Sequence, residues 1–167
     1  MNGALAALFL SSALLDPEVS ILDNYGLSEN IPFQTVGIGK LEFQKEWIGS
    51  DYQFTVADRR GYGPLQRTHS LSITDHYGLW VGTGFNNPIA LNNRLLVRFS
   101  FLPGVYQQGG EVDLGGWLMF RSGVELEFSL SEVISLSVSY DHRSSGDLWP
   151  YNPGLESWQI RISKKIF

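Results

Sequence analysis

The chain has 167 residues, enough for one domain with a sizeable core. Its formal net charge of −5 argues against a general nucleic-acid partner, and with no cysteine it has no disulfide scaffold, no thiolate metal site and no cysteine nucleophile. Glycine (18) and aromatic residues (13%) are plentiful, and the sequence implies no cofactor.

The N-terminus reads MNGALAALFLSSALLDP. Residues 4–15 are apolar but too short to cross a bilayer as a helix. The stretch has the apolar part of a secretory signal but no Lys or Arg before it, so a buried apolar plug or short helix is the other expectation for a segment 1–30. From residue 31 onward the chain is read as one domain.

After Pro32 the pattern takes period two, the mark of strands with one apolar face. Eight segments follow, at about 35–44, 51–58, 67–75, 78–86, 94–102, 117–130, 133–144 and 156–166. The pieces RRGYGP, FNNP, PGVYQQGGEVDLGG and SSGDLWPYNPG separate them as turns or loops. No long helical period or internal repeat occurs, which predicts an all-β domain: a single antiparallel up-and-down β-barrel of about eight strands.

The alternation says which face is which. Ile134, Leu136, Val138 and Tyr140 alternate with Ser135, Ser137, Ser139 and Asp141. Val124, Leu126, Phe128 and Leu130 alternate with Glu125, Glu127 and Ser129, and Leu95, Val97, Phe99 and Phe101 alternate with Arg98 and Ser100. A soluble sandwich would turn the apolar set inward, whereas a small membrane barrel turns it to lipid and fills a narrow lumen with small and paired charged side chains. The strand DYQFTVADRR, with its short apolar face, and the last strand, read as changing parity from Trp158, Ile160 and Ile162 to Lys164, leave a soluble or partly embedded barrel open.

Near the C-terminus, His142 and Ser144 continue the apolar face of Ile134 to Tyr140, and Glu156 continues the face of Trp158, Ile160 and Ile162. If 145–155 joins these strands as a hairpin, all three polar residues meet at one rim on the apolar face. Placing them there is costly unless they pair. A Glu–His–Ser chain would satisfy them and would also activate the serine as a nucleophile. Parity and spacing alone fit either ordinary rim residues or this catalytic chain. His69 and His76 have no carboxylate and serine at comparable spacing, and a metal site from three scattered histidines is a weak reading.

The run H-R-S … N-P-G-L-E-S-W resembles the C-terminal signature of the lipid A 3-O-deacylase family, acyloxyacyl-hydrolase-like outer-membrane barrels. The resemblance is clearest over about 78–167 and strongest over 134–162. It implies an eight-stranded barrel in the outer membrane and a lipid-facing triad that removes an ester-linked acyl chain from lipopolysaccharide. Carried over, Ser144 is the nucleophile, His142 the general base and Glu156 the residue that orients the histidine. The family pattern often has asparagine after the nucleophile; here it is Ser145, so the oxyanion role passes to the Ser145 hydroxyl or the Ser145 and Gly146 amides. Tyr140 and Trp158 are expected along the departing acyl chain, and Arg143, on the opposite parity, would bind phosphate only if the strand twists at the rim. The partners implied are lipid A and the outer membrane, with a homo-oligomer or larger assembly left open. The alternative is a non-catalytic barrel acting as a structural or lipopolysaccharide-binding part of a virion or envelope assembly; a small porin-like or adhesion barrel is a third reading, disfavoured by short loops.

Overall fold

A computed structural model describes residues 3–14 and 27–167. The elements are α1 (Ala4–Leu14), β1 (Leu27–Glu29), β2 (Phe33–Phe43), β3 (Glu46–Tyr62), β4 (Leu65–Thr74), β5 (Leu79–Ala90), β6 (Leu95–Gln107), β7 (Leu118–Ser129), β8 (Ile134–Ser144) and β9 (Leu155–Lys165). Each of β2 to β9 pairs antiparallel with its chain neighbour, and β2 also pairs with β9. That last pairing closes an eight-stranded barrel; β1 only extends one end of β3.

The barrel is inside out relative to a soluble protein. Val138 is 55% exposed and its neighbour Ser137 only 2%. Leu126, Phe128, Leu136, Trp158, Ile160 and Ile162 are likewise exposed, while Ser135, Ser139, Glu127 and Ser163 are buried. A continuous apolar outer wall around a polar lumen is stable where the surroundings are hydrocarbon, because closure leaves no strand edge unpaired. The alternation of β9 runs unbroken to Lys164, which lies outward at the far end of the strand.

Charges fill the middle of the lumen in opposed sets. Arg98 Nη1 donates to Glu125 Oε1 at 2.9 Å and to Glu127 Oε2 at 2.6 Å. Arg161 donates to the second oxygen of Glu125 and to Asp141, and Arg121 donates to Asp51 at 3.0 Å. The space left between these side chains is only about 30 Å³, room for a water or two. Towards the end that carries the 145–154 loop the lumen becomes apolar. There Leu41, Trp80, Leu102, Tyr106, Met119 and Leu155 pack with Leu114 from the β6–β7 loop, and Trp149 from the β8–β9 loop closes over them.

Three strands outrun the turn signals in the sequence. RRGY belongs to β3, FNNP to β5 and PGVYQ to β6. The prolines are tolerated because of where the ladders stop. Pro88 pairs with Arg98 of β6 beyond the last β4–β5 pair, Gln66↔Asn86, so on its other side no partner strand needs an N–H from it. Pro103 pairs with Phe120 of β7 at a gap in the β5–β6 register between Gly82↔Gly104 and Phe85↔Phe101.

The apolar N-terminal stretch forms α1, an Ala- and Leu-rich segment with high helix propensity. It lies on the outer wall across β5–β7. Phe9 stacks on Phe101 (centroids 6.0 Å apart), and Asn87 Nδ2 donates to Ser12 Oγ at 3.1 Å. Among the described residues no helix is long and apolar enough to cross a membrane, which says nothing of the strands. The rest of the expected N-terminal segment, 15–26, lies outside the described residues, as do Met1 and Asn2.

Candidate active site

Antiparallel register builds the site. On β8 and β9, His142 lies directly opposite Glu156, and Tyr140 directly opposite Trp158, all on the outward face. His142 Nδ1 is 3.0 Å from Glu156 Oε1. The carboxylate fixes the tautomer: Nδ1 carries the proton and donates it, which leaves Nε2 as a lone-pair acceptor. His142 is 5% exposed, and its Nε2 has no hydrogen-bond partner. Ser144, 6% exposed, stands two residues further along the same face. One of the two links of the expected chain is therefore formed. The other, from serine hydroxyl to imidazole, is not made; such catalytic hydrogen bonds commonly tighten only around a substrate.

The imidazole is held from the loop side by Gly154. A Cβ there would fall 2.7 Å from His142 Cε1, and the backbone has φ +76°, so the position calls for glycine on both counts. On the other side, β7 sets Ser122 opposite His142 and Phe120 opposite Ser144. Phe120 stacks with Phe101 at 5.5 Å, continuing the aromatic contact made by α1.

The expected oxyanion donors divide. The Ser145 amide already donates to Asn152 Oδ1 at 2.9 Å, so it is engaged. The Ser145 hydroxyl is fully buried and has no partner. Gly146 adopts φ +62° directly after it. The Ser145 hydroxyl and the Gly146 amide thus stand as the available pair. Asn152 opens the N-P-G-L-E-S-W run, but the sequence assigns it no role. It ties the loop together by accepting from the Ser145 amide and donating to Asp147 Oδ1 at 2.9 Å.

Of the expected substrate contacts, Tyr140 and Trp158 come together, with ring centroids 4.7 Å apart, one row below His142 on the outer wall. Arg143 is a correction. It points into the lumen, 3% exposed, donates to Ser72 Oγ at 2.9 Å and lies over Trp80 and Tyr106. Strand parity holds up to the rim, no twist brings this guanidinium outward, and it cannot meet a lipid phosphate. The three histidines do not converge on a metal. His69 bonds Thr83, and His76 sits with Asp75 and Glu111 on other loops at the rim.

The sequence profile described as "Lipid A 3-O-deacylase (PagL)" matches residues 35–165. The chain belongs to the lipid A 3-O-deacylase family. Among solved structures it is similar to the outer-membrane enzyme PagL, with a TM-score of 0.62 and 15% identity, covering 80% of this chain and 99% of that one. It is also similar to a de novo designed transmembrane β-barrel (TM-score 0.57, 11% identity, 83% and 98% covered) and to Neisserial surface protein A (TM-score 0.50, 12% identity, 84% and 99% covered). At these identities the structural likeness carries the fold alone, and the family assignment rests on the profile match. No curated protein matches the chain significantly.

Proposed function

We propose that this protein is an outer-membrane serine esterase that removes an ester-linked acyl chain from lipid A, with Ser144, His142 and Glu156 as its catalytic chain. The observation that carries the reading is the His142–Glu156 hydrogen bond on the lipid-facing wall, with Nε2 unpartnered and Ser144 two residues further along the same face. A buried histidine–carboxylate pair facing hydrocarbon is costly, and a role in the interior of the protein does not account for it. The expectation of a virion component finds no support among the similar structures.

In this mechanism the substrate lies against the outer wall, its acyl chain along Tyr140 and Trp158 and its ester at the rim. Ser144 Oγ attacks the ester carbonyl while His142 Nε2 takes its proton, and Glu156 stabilises the imidazolium. The tetrahedral oxyanion accepts from Gly146 N–H and the Ser145 hydroxyl; one such donor is worth about 3–4 kcal/mol. Collapse breaks the bond to the sugar oxygen, which leaves with the proton held by His142. Water, deprotonated by the same imidazole, then hydrolyses the acyl-serine and releases the fatty acid.

The test is lipid A incubated with the protein in detergent micelles and read by mass spectrometry. Wild type is expected to remove one hydroxyacyl chain, and Ser144→Ala none. Intact lipid A after exposure to wild type, or equal release by Ser144→Ala, overturns the reading.

A further inference from the structure

The outer wall is apolar except where polar residues gather on adjacent strands, and one gathering surrounds the candidate site. In register across five strands lie Ser50 on β3, Lys40 and Glu42 on β2, Glu156 on β9, His142 and Ser144 on β8, and Ser122 on β7. On the opposite side, the outward positions towards the same end are Leu71, Ile73, Leu79, Val81 and Val105. The polar stripe therefore marks the side from which a headgroup would be received.

Charge is unevenly placed along the barrel. Of the twelve Lys and Arg residues, Arg98, Arg121, Arg143 and Arg161 are buried in the lumen. Arg59, Arg60, Arg67, Arg94, Lys164 and Lys165 lie towards the far end. Two remain at the site's end: Lys45, at the tip of the β2–β3 turn, and Lys40, on the wall itself. Glu42, Glu46, Asp75, Glu111, Asp113, Asp147 and Glu156 share that end. A phosphorylated glycolipid meeting this rim finds mostly carboxylates, and Lys40 is the one cation inside the stripe.

Lys40 is the register partner of Trp158, two strands from His142 and one outward position below Glu42. It is exposed, and among the described residues no carboxylate pairs with it. A cation on a lipid-facing wall is unfavourable unless its flexible stem carries the ammonium up to a counter-charge at the headgroup level. The stem crosses the same row that holds Tyr140 and Trp158, the surface assigned to the acyl chain. An anion bound there is tethered to a substrate whose ester lies over Ser144.

We propose that Lys40 is a phosphate subsite, binding a phosphate monoester on the sugar of the glycolipid whose ester is cut at Ser144. This rests on the esterase reading, and it makes the phosphate a specificity element. Lys40 acts on binding and leaves the chemical step unchanged.

The experiment compares wild type, Lys40→Gln and Lys40→Arg on lipid A carrying its phosphates and on the same lipid A chemically dephosphorylated. Removing the phosphate is expected to raise the wild-type KM roughly tenfold, the scale of one charge-assisted contact, with kcat unchanged. Lys40→Gln is expected to show the raised KM on phosphorylated substrate, no further change on dephosphorylated substrate, and near-normal behaviour when Arg restores the charge. A wild type indifferent to phosphate overturns the proposal. So does a Lys40→Gln that loses kcat equally on both substrates, since the lysine would then act through Glu42 and Glu156. Native mass spectrometry of lipid A retained by Ser144→Ala, with and without Lys40→Gln, reads the same discrimination without turnover. If wild type cleaves no lipid A the esterase reading fails, yet this arm still decides Lys40: equal retention of the two lipids overturns the subsite.

Discussion

Two polar regions of this barrel look alike in composition and differ in what surrounds them. In the lumen, Arg98, Arg121 and Arg161 pair with Asp51, Glu125, Glu127 and Asp141, and Arg143, 4.0 Å from Asp51, donates to Ser72; all of them are shielded from the lipid. On the outer wall, His142, Ser144, Glu156 and Lys40 sit in a field of exposed Ile, Val and Trp, and the stripe keeps an imidazole nitrogen and an ammonium without partners. The first arrangement fixes register and fills space. The second leaves polar groups unpartnered on the face proposed to receive a lipid. Polarity alone does not mark a site in such a protein; polarity on the lipid side does.

Substitutions separate the two regions by what they damage. The largest effect is expected from Ser144→Ala, a fall in deacylation rate of about 10⁴ or more with an unchanged unfolding midpoint. Glu156→Ala is expected to be about a hundredfold milder, since Ser144 and His142 remain and only orientation and charge support are lost; a burst-phase assay of acyl release measures both. Gly154→Ala pushes a methyl group into the imidazole, and a loss of about 10² in kcat is expected from that displacement, with the barrel intact by circular dichroism. The smallest effect on catalysis belongs to the lumen. Arg98→Leu leaves Glu127 without its cation, so guanidinium unfolding in micelles is expected to show about 3–5 kcal/mol less stability, while kcat per folded molecule stays at the wild-type level. A lumen substitution that removed activity from a fully folded barrel would break the division.

The barrel was legible because its strands obey one rule. Val138 and Ser137 differ only in parity, and parity alone predicted which meets lipid. The same rule put His142, Ser144 and Glu156 on one face, and it placed Arg143 in the lumen, against the looser expectation of a twist that turns it outward. What period two could not show came from residues outside any period. Leu114 and Trp149 cap the lumen from loops, and Asn152 braces the site through a hydrogen bond to a backbone amide. Strand ends were misread where Pro88 and Pro103 look like breakers, because whether a missing N–H matters depends on where the neighbouring ladder stops. Lys40 has no role in the sequence reading; the one proposed for it comes from the register that sets it beside Trp158.

The central claim is that Ser144 is an activated nucleophile on the lipid-facing wall. A lipophilic fluorophosphonate, which reacts only with activated serines, tests it in one measurement when the labelled peptide is sequenced by mass spectrometry. One adduct on Ser144 is predicted for the wild type and none for His142→Ala. An unlabelled wild type, or label carried by any other of the serines, contradicts it.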